Sequence, residues 1–265
     1  MARIIALSNQ KGGVGKTTTA VNLAASLAAA GQRVLLVDVD PQGNATSGLG
    51  FARTQLGRGV YDVLLGFEDI EQVIVPTEFD NLSLLAATPG LVGAEVELVD
   101  QKDRESRLRD ALDDVRAEFD YVLIDCPPSL SLLTLNALVA SDRVLIPLQA
   151  EYYAMEGLSQ LLRTITAVRR SLNPDLRREG IVVTMYDGRN NLCREVALQA
   201  EELFGDEVFR TVIPRNVRLG EAPSFGCPVL HYDARSTGSQ AYLKLARELL
   251  KRHGVSAPMI AEEVA

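Results

Sequence analysis

The sequence predicts a single α/β domain: a mainly parallel, twisted sheet with helices on both faces. Three observations carry that reading. Apolar runs of strand length alternate with helical patterns along the chain. Those runs are unbroken rather than alternately polar and apolar, the mark of strands buried on both faces. No linker, low-complexity segment or internal repeat divides the 265 residues. A chain of that length buries roughly three-quarters of its unfolded surface and needs no disulfide or metal staple.

Residues 3–8 read as a first buried strand, and the alanine-rich stretch 16–30 as a helix stopped by Gly31. A second, β-branched strand spans 33–40 and is broken by Pro41. Apolar runs at 82–86 and 121–125 are further strands. Between them, 103–118 has the charge density and apolar spacing of a surface helix. A helix at 130–140 precedes a buried strand at 143–148, and the amphipathic helix 155–172 ends before Asn173-Pro174. A strand at 181–185, a helix at 191–204, a strand at 208–214 and a last helix at 239–253 complete a domain taken as residues 1–256. Residues 257–265 are small and acidic, and are expected to form a disordered tail.

Cys126, Cys193 and Cys227 are too few and too scattered for a disulfide framework or a paired-cysteine site, which fits a reducing compartment. No apolar run approaches the roughly 20 residues of a membrane helix. Met1 is followed almost at once by the first strand, so no leader peptide is expected and a cytoplasmic location is. The net charge is −8, but it is uneven: residues 1–150 hold 12 basic and 20 acidic groups, residues 151–265 hold 15 of each. A local basic face in the second part therefore remains open.

The chemistry begins at Lys11-Gly12-Gly13-Val14-Gly15-Lys16-Thr17, set between the first strand and the first helix. Glycines there let backbone N–H groups close around a polyphosphate, and the helix aims its positive end at the same anion. Lys16 is placed to reach the outer phosphates and the Thr17 hydroxyl to ligate Mg²⁺. A nucleoside triphosphate is the expected ligand. The loop departs from the usual G-x-x-x-x-G-K-[ST] pattern: Gln10 stands where a glycine is usual, and Lys11 adds a second lysine. At the carboxyl end of the second strand stand Asp38 and Asp40, where parallel sheets gather ligands. Asp40 directly precedes the Pro41-Gln42-Gly43-Asn44 turn and faces the loop more directly. For Asp38, hydrogen bonding within the loop and a direct role are both open. Asp125 ends the strand 121–125 and is placed to hold Mg²⁺ through water. Pro127-Pro128-Ser129 and the stretch 43–50 flank the same point as candidate γ-phosphate sensors.

The run Asn9-Gln10-Lys11-Gly12-Gly13-Val14-Gly15-Lys16-Thr17-Thr18-Thr19 resembles the deviant Walker A box of the ParA/MinD ATPases, and more narrowly that of the ParA (Soj) partition ATPases. The resemblance extends to 184–189 and 213–218. It implies ATP as the nucleotide, held by Lys11 through Thr18, with Lys16 acting in its own subunit and Lys11 reaching across a homodimer. It implies that Asp40 positions or activates the attacking water. Pro214 and Asn216 would lie by the adenine, and Arg189 and Arg218 would bind double-stranded DNA without reading sequence. It further implies a ParB-type partner that stimulates slow hydrolysis, a nucleoid-associated location and no stable membrane binding. The absence of an N-terminal extension favours a chromosomal member.

The nearest rival is a MinD-like membrane ATPase. Such proteins end in a basic amphipathic helix, whereas residues 256–263 are acidic and broken by Pro258. A nitrogenase-type electron carrier needs paired cluster cysteines that this chain lacks. A small-molecule ligase or kinase built on the same loop is the remaining alternative.

Overall fold

The computed structural model describes residues 1–152 and 154–255. Among them one sheet takes β1 (Arg3–Leu7), β2 (Val34–Asp38), β3 (Val75–Pro76), β4 (Leu82–Leu85), β5 (Tyr121–Asp125), β6 (Arg143–Gln149) and β7 (Arg177–Thr184). The spatial order is β3-β4-β2-β5-β1-β6-β7. Every pair is parallel except β3 with β4.

Unbroken apolar strands work here because alternate residues serve two cores. Ile4 and Ala6 of β1 enter one core with Val122, Ile124 and Val144. Ile5 and Leu7 enter the other with Leu36, Leu123 and Leu145. The second core is closed by α1 (Lys16–Ala29) and α11 (Thr237–Arg252), the first by α5 (Arg107–Val115), α6 (Leu132–Ala140), α7 (Ala154–Ser171) and α8 (Asn191–Phe204). The alanine-rich α1 is buried nearly all round, its small side chains letting it lie close between sheet and α11. Short helices complete the layers: α2 (Asn44–Gly48), α3 (Val60–Leu65), α4 (Leu91–Glu97), α9 (Val217–Glu221) and α10 (Val229–Tyr232).

Because α1 leaves β1 on one face and α6 leaves β5 on the other, a crevice opens at the carboxyl ends of β1 and β5. That is where a parallel sheet places its ligands.

The expected strand at 208–214 is not continuous. Val208 and Pro214 make isolated parallel bridges to Ile181 and Tyr186. Between them the N–H groups of Arg210 and Thr211 donate to the Glu248 carboxylate, each at 2.9 Å, while those of Phe209 and Ile213 still donate to β7 carbonyls at 2.8 Å. The helix expected over 103–118 shortens at both ends to α5; at its start Asp103 takes a left-handed φ of 54° that a helix cannot contain. Residues 257–265, and with them the acidic terminus that argued against a membrane helix, lie outside the described residues.

Candidate functional site

The loop after β1 is shaped by two left-handed glycines, Gly13 (φ 77°) and Gly15 (φ 85°). Gly15 caps α1 without any side-chain bond, so the first N–H groups of the helix point outward unclaimed. Nothing lies within 4 Å of where a Cβ would stand on Gly12 or Gly13, which leaves the cradle open. The loop is pinned at both ends. Asn9 donates to the Pro147 carbonyl at 2.8 Å and accepts from the Lys11 N–H at 3.0 Å. On the far side, the Thr184 hydroxyl donates to the Val14 carbonyl at 2.8 Å.

Lys16 is 6 % exposed and curls over the loop, its Nζ donating to the Lys11 carbonyl at 3.1 Å. Burial lowers its pKa, against the opposing pull of Asp125, Cys126 and Asp40. Lys11 points the other way, its ammonium paired with Glu151 just beyond β6.

Register sets the acids. Asp125 of β5 stands opposite both Leu7 of β1 and Asp38 of β2. Asp38 is fully satisfied: it accepts from the Thr46 N–H at 2.8 Å, the Thr46 hydroxyl at 2.7 Å and the Asp40 N–H at 3.2 Å. Burial still pushes its carboxyl up to about 6. Of the two roles open for Asp38, the geometry provides the structural one, fastening β2 to the start of α2. Asp125 is the reverse case. Both its oxygens are buried without a hydrogen-bond partner. Burial first, then the Asp38 charge, raises its pKa well above the carboxylate range, while the nearby Thr17 and Lys16 side chains oppose the shift without meeting hydrogen-bond geometry. A native fold seldom leaves such a group bare. A hydrated divalent cation at Thr17 would supply what Asp125 lacks, so the residues present fit Mg²⁺. No cluster of three His, Cys, Asp or Glu that could by itself hold a metal ion exists among the described residues.

Asp40 follows β2, is 6 % exposed, and accepts the Gln42 N–H at 2.9 Å. Its turn is clamped by a residue the sequence did not single out. Arg53 donates to the carbonyls of Pro41 (2.6 Å) and Gln42 (2.7 Å) and to those of Ala87 and Thr88 (3.4 Å each). The clamp passes over Gly43, where a Cβ would meet the Arg53 side chain at 2.3 Å. No local pattern marks Arg53, because its partners come from two separate loops.

A cavity of about 240 Å³ joins Gly15 and Thr18 to Met185, Pro214, Asn216 and Tyr242, bringing two expected base-binding residues against the loop. Asn216 is held in place, capping α9 through the Arg218 N–H (2.9 Å) and donating to Thr237 (2.7 Å). The two arginines singled out for DNA are on the surface and paired with acids. Arg189 is 91 % exposed and forks onto Asp187, holding that carboxyl down to about 2. Arg218 pairs with Glu221 and Asp233. Cys126 is buried and its thiol pKa pushed up, as expected of packing rather than reactivity. No helix among the described residues is long and apolar enough to cross a membrane.

Residues 2–178 match the family described as AAA domain. The chain is 57 % identical to the chromosome partitioning protein ParA of Myxococcus xanthus, over 97 % of this chain and 91 % of that protein. It is 56 % identical to the sporulation initiation inhibitor protein Soj of Bacillus subtilis, over 94 % and 98 %. Among solved structures it resembles cobyrinic acid a,c-diamide synthase from Mycobacterium smegmatis with bound ADP and magnesium, at 40 % identity and a TM-score of 0.84 over 97 % and 98 %.

Proposed function

The chain belongs to the ParA/Soj family of chromosome-partitioning ATPases, and from that premise we propose that it is an ATP-driven DNA-partition protein switched by dimerisation. The observation that supports this most is the pairing of an open glycine cradle and buried ammonium with the bare carboxylate of Asp125. Those groups want a polyphosphate and a hydrated cation together.

On this reading the loop N–H groups and Lys16 hold the phosphates of ATP, and Thr17 and Asp125 hold Mg²⁺. Bound Mg²⁺ neutralises charge on the phosphate oxygens. Asp40, fixed by its own turn, orients the attacking water. The base occupies the cavity beside Pro214 and Asn216. Lys11 serves the partner copy, so it must leave Glu151 before a dimer can act. Arg189 and Arg218 likewise exchange internal acids for DNA phosphates, which makes one copy a weak binder and two copies on one duplex a better one. A ParB-type partner then stimulates hydrolysis and releases the protein from the cytoplasmic nucleoid.

The cobyrinate synthase likeness offers a small-molecule ligase as the second reading; identity of 57 % to a partition protein against 40 % to the synthase favours partition. The test is DNA binding and molecular size for the wild type and Asp40→Ala, each with ADP and with ATP. ATP should give a dimer that binds any DNA sequence and weakens steeply with salt, and Asp40→Ala should remain in that state. Equal DNA affinity with both nucleotides, or a monomeric Asp40→Ala with ATP, would overturn the proposal.

A further inference from the structure

Of the two departures in the phosphate loop, the proposed function uses Lys11 and leaves Gln10 without a part. The ordinary loop has glycine there, with no side chain to hold. Here the Gln10 amide donates to the Thr164 hydroxyl of α7 at 3.1 Å. That hydroxyl sends its own proton to the Gln160 carbonyl at 3.4 Å, so its oxygen is free to accept from Gln10. The entrance of the loop is thereby fastened sideways to α7.

Other bonds at the entrance converge on Lys11. Its N–H donates to Asn9 Oδ1 at 3.0 Å, and Asn9, 3 % exposed, is anchored on the Pro147 carbonyl of β6 at 2.8 Å. Its carbonyl turns to the cradle and accepts from Lys16 Nζ at 3.1 Å. With both backbone groups committed and the preceding side chain tied down, the Lys11 side chain has one way out. It leaves the cradle behind and pairs with Glu151, whose carbonyl accepts from the Ala154 N–H at the start of α7 at 3.0 Å. Thr164 and Glu151 thus belong to one continuous segment, and that segment sets the direction of Lys11.

We propose that Gln10 is a positioning residue: by fastening the loop entrance to α7 it keeps the Lys11 ammonium turned from its own nucleotide and available to a second copy of this chain. The inference rests on the ATP-dependent dimer proposed above. The Gln10–Thr164 bond itself need not change on assembly; its effect is preorganisation. An untied entrance spreads Lys11 over several directions, and only the outward fraction engages a partner. A neutral side-chain hydrogen bond holds a preference of about threefold. Each copy contributes one lysine, so losing the tie in both weakens assembly roughly tenfold.

The test uses the full chain in the Asp40→Ala background, so that ATP persists. Gln10→Ala, Thr164→Val, Thr164→Ser and the Gln10→Ala/Thr164→Val pair are compared with the parent. Sedimentation with ATP and Mg²⁺ reads the dimer, and titration of dilute protein with ADP reads nucleotide affinity. Gln10→Ala and Thr164→Val should each weaken the dimer roughly tenfold. The double variant should be no weaker than either, because all three lose the same bond. Thr164→Ser keeps the hydroxyl and should dimerise like the parent. ADP affinity and melting without nucleotide should be unchanged throughout. Dimers of equal strength in every protein would overturn the inference, as would losses that add in the double variant. A fall in ADP affinity or melting temperature that accounted for the weaker dimer would also overturn it, by making the bond a support of the cradle or the fold. A parent that stays monomeric with ATP would remove the dimer reading and this inference with it. A dimeric parent matched by Gln10→Ala would remove this inference alone.

Discussion

Arg53 and Gly43 show how closely one side chain can govern another's chemistry. Four carbonyls from two loops converge on the guanidinium, and the chain beneath it has room only for glycine at a φ of 65°. Arg53→Ala should leave nucleotide affinity nearly unchanged yet cut turnover by roughly 10²-fold, the scale of a 1 Å misplacement of a reacting group. Gly43→Ala should do the same by displacing the arginine. Steady-state phosphate release together with nucleotide titration separates the two effects; a loss confined to affinity would contradict this assignment. Lys11 and Glu151 make a second residue-scale case. Their pair must open for Lys11 to reach a partner, but a partly exposed pair contributes only about 0–1 kcal/mol. Each dimer frees two such pairs, so Glu151→Gln should tighten the ATP-dependent dimer by no more than about thirtyfold, read by sedimentation. A weaker dimer would mean that Glu151 supports the assembly instead of restraining Lys11.

At the scale of elements, the interrupted edge beyond β7 turns on Glu248. Its carboxylate takes two adjacent backbone N–H groups, of which an edge strand would have turned only one toward β7, and it also holds Arg252, which stacks over Phe209 at 3.8 Å. Glu248→Ala strands both donors and should destabilise the fold by about 1–3 kcal/mol, measured as a shift in denaturant midpoint at unchanged slope. The same residue explains where the sequence misleads. The run Val208-Phe209 through Val212-Ile213 has the composition of a strand, and its competitor lies on a helix nearly forty positions later. The central strands and the long helices were legible because their patterns are local and span a full period. Helices α2, α4, α9 and α10 run only four to seven residues, too short for periodicity to register. The phosphate loop was legible because glycine spacing writes its shape directly. Arg53 was not, since nothing near it in sequence hints at the loops it joins.

Across the whole molecule the two ends of the sheet are built on opposite terms. At the amino ends of the strands, buried polar groups answer one another. Arg3 donates to the Tyr121 hydroxyl at 3.3 Å, that hydroxyl meets His253 Nδ1 at 2.9 Å, and His253 Nε2 meets Glu179 at 3.0 Å. At the carboxyl ends Asp125 is left bare beside Asp38, and both carboxyl pKa values are raised by burial. A raised folded-state pKa means that the unfolded chain gives up its proton first. Stability without ligand is then complete below the unfolded value near 3.8 and falls as pH rises, levelling for Asp38 above about 6. Asp125→Asn removes one of the two penalties. With chelator and no nucleotide, the variant should melt roughly 2–8 °C above the wild type at pH 8, the effect of about 1–2 kcal/mol in a domain of this length. Below about pH 3 that gap should close, because Asp125 is then protonated in both states. Adding ATP with Mg²⁺ at pH 8 should reverse the ranking, since the carboxylate that weakened the ligand-free fold is the group proposed to secure the cation. A gap that stayed constant with pH would show that Asp125 carries no buried charge, and the metal assignment would lose its physical basis.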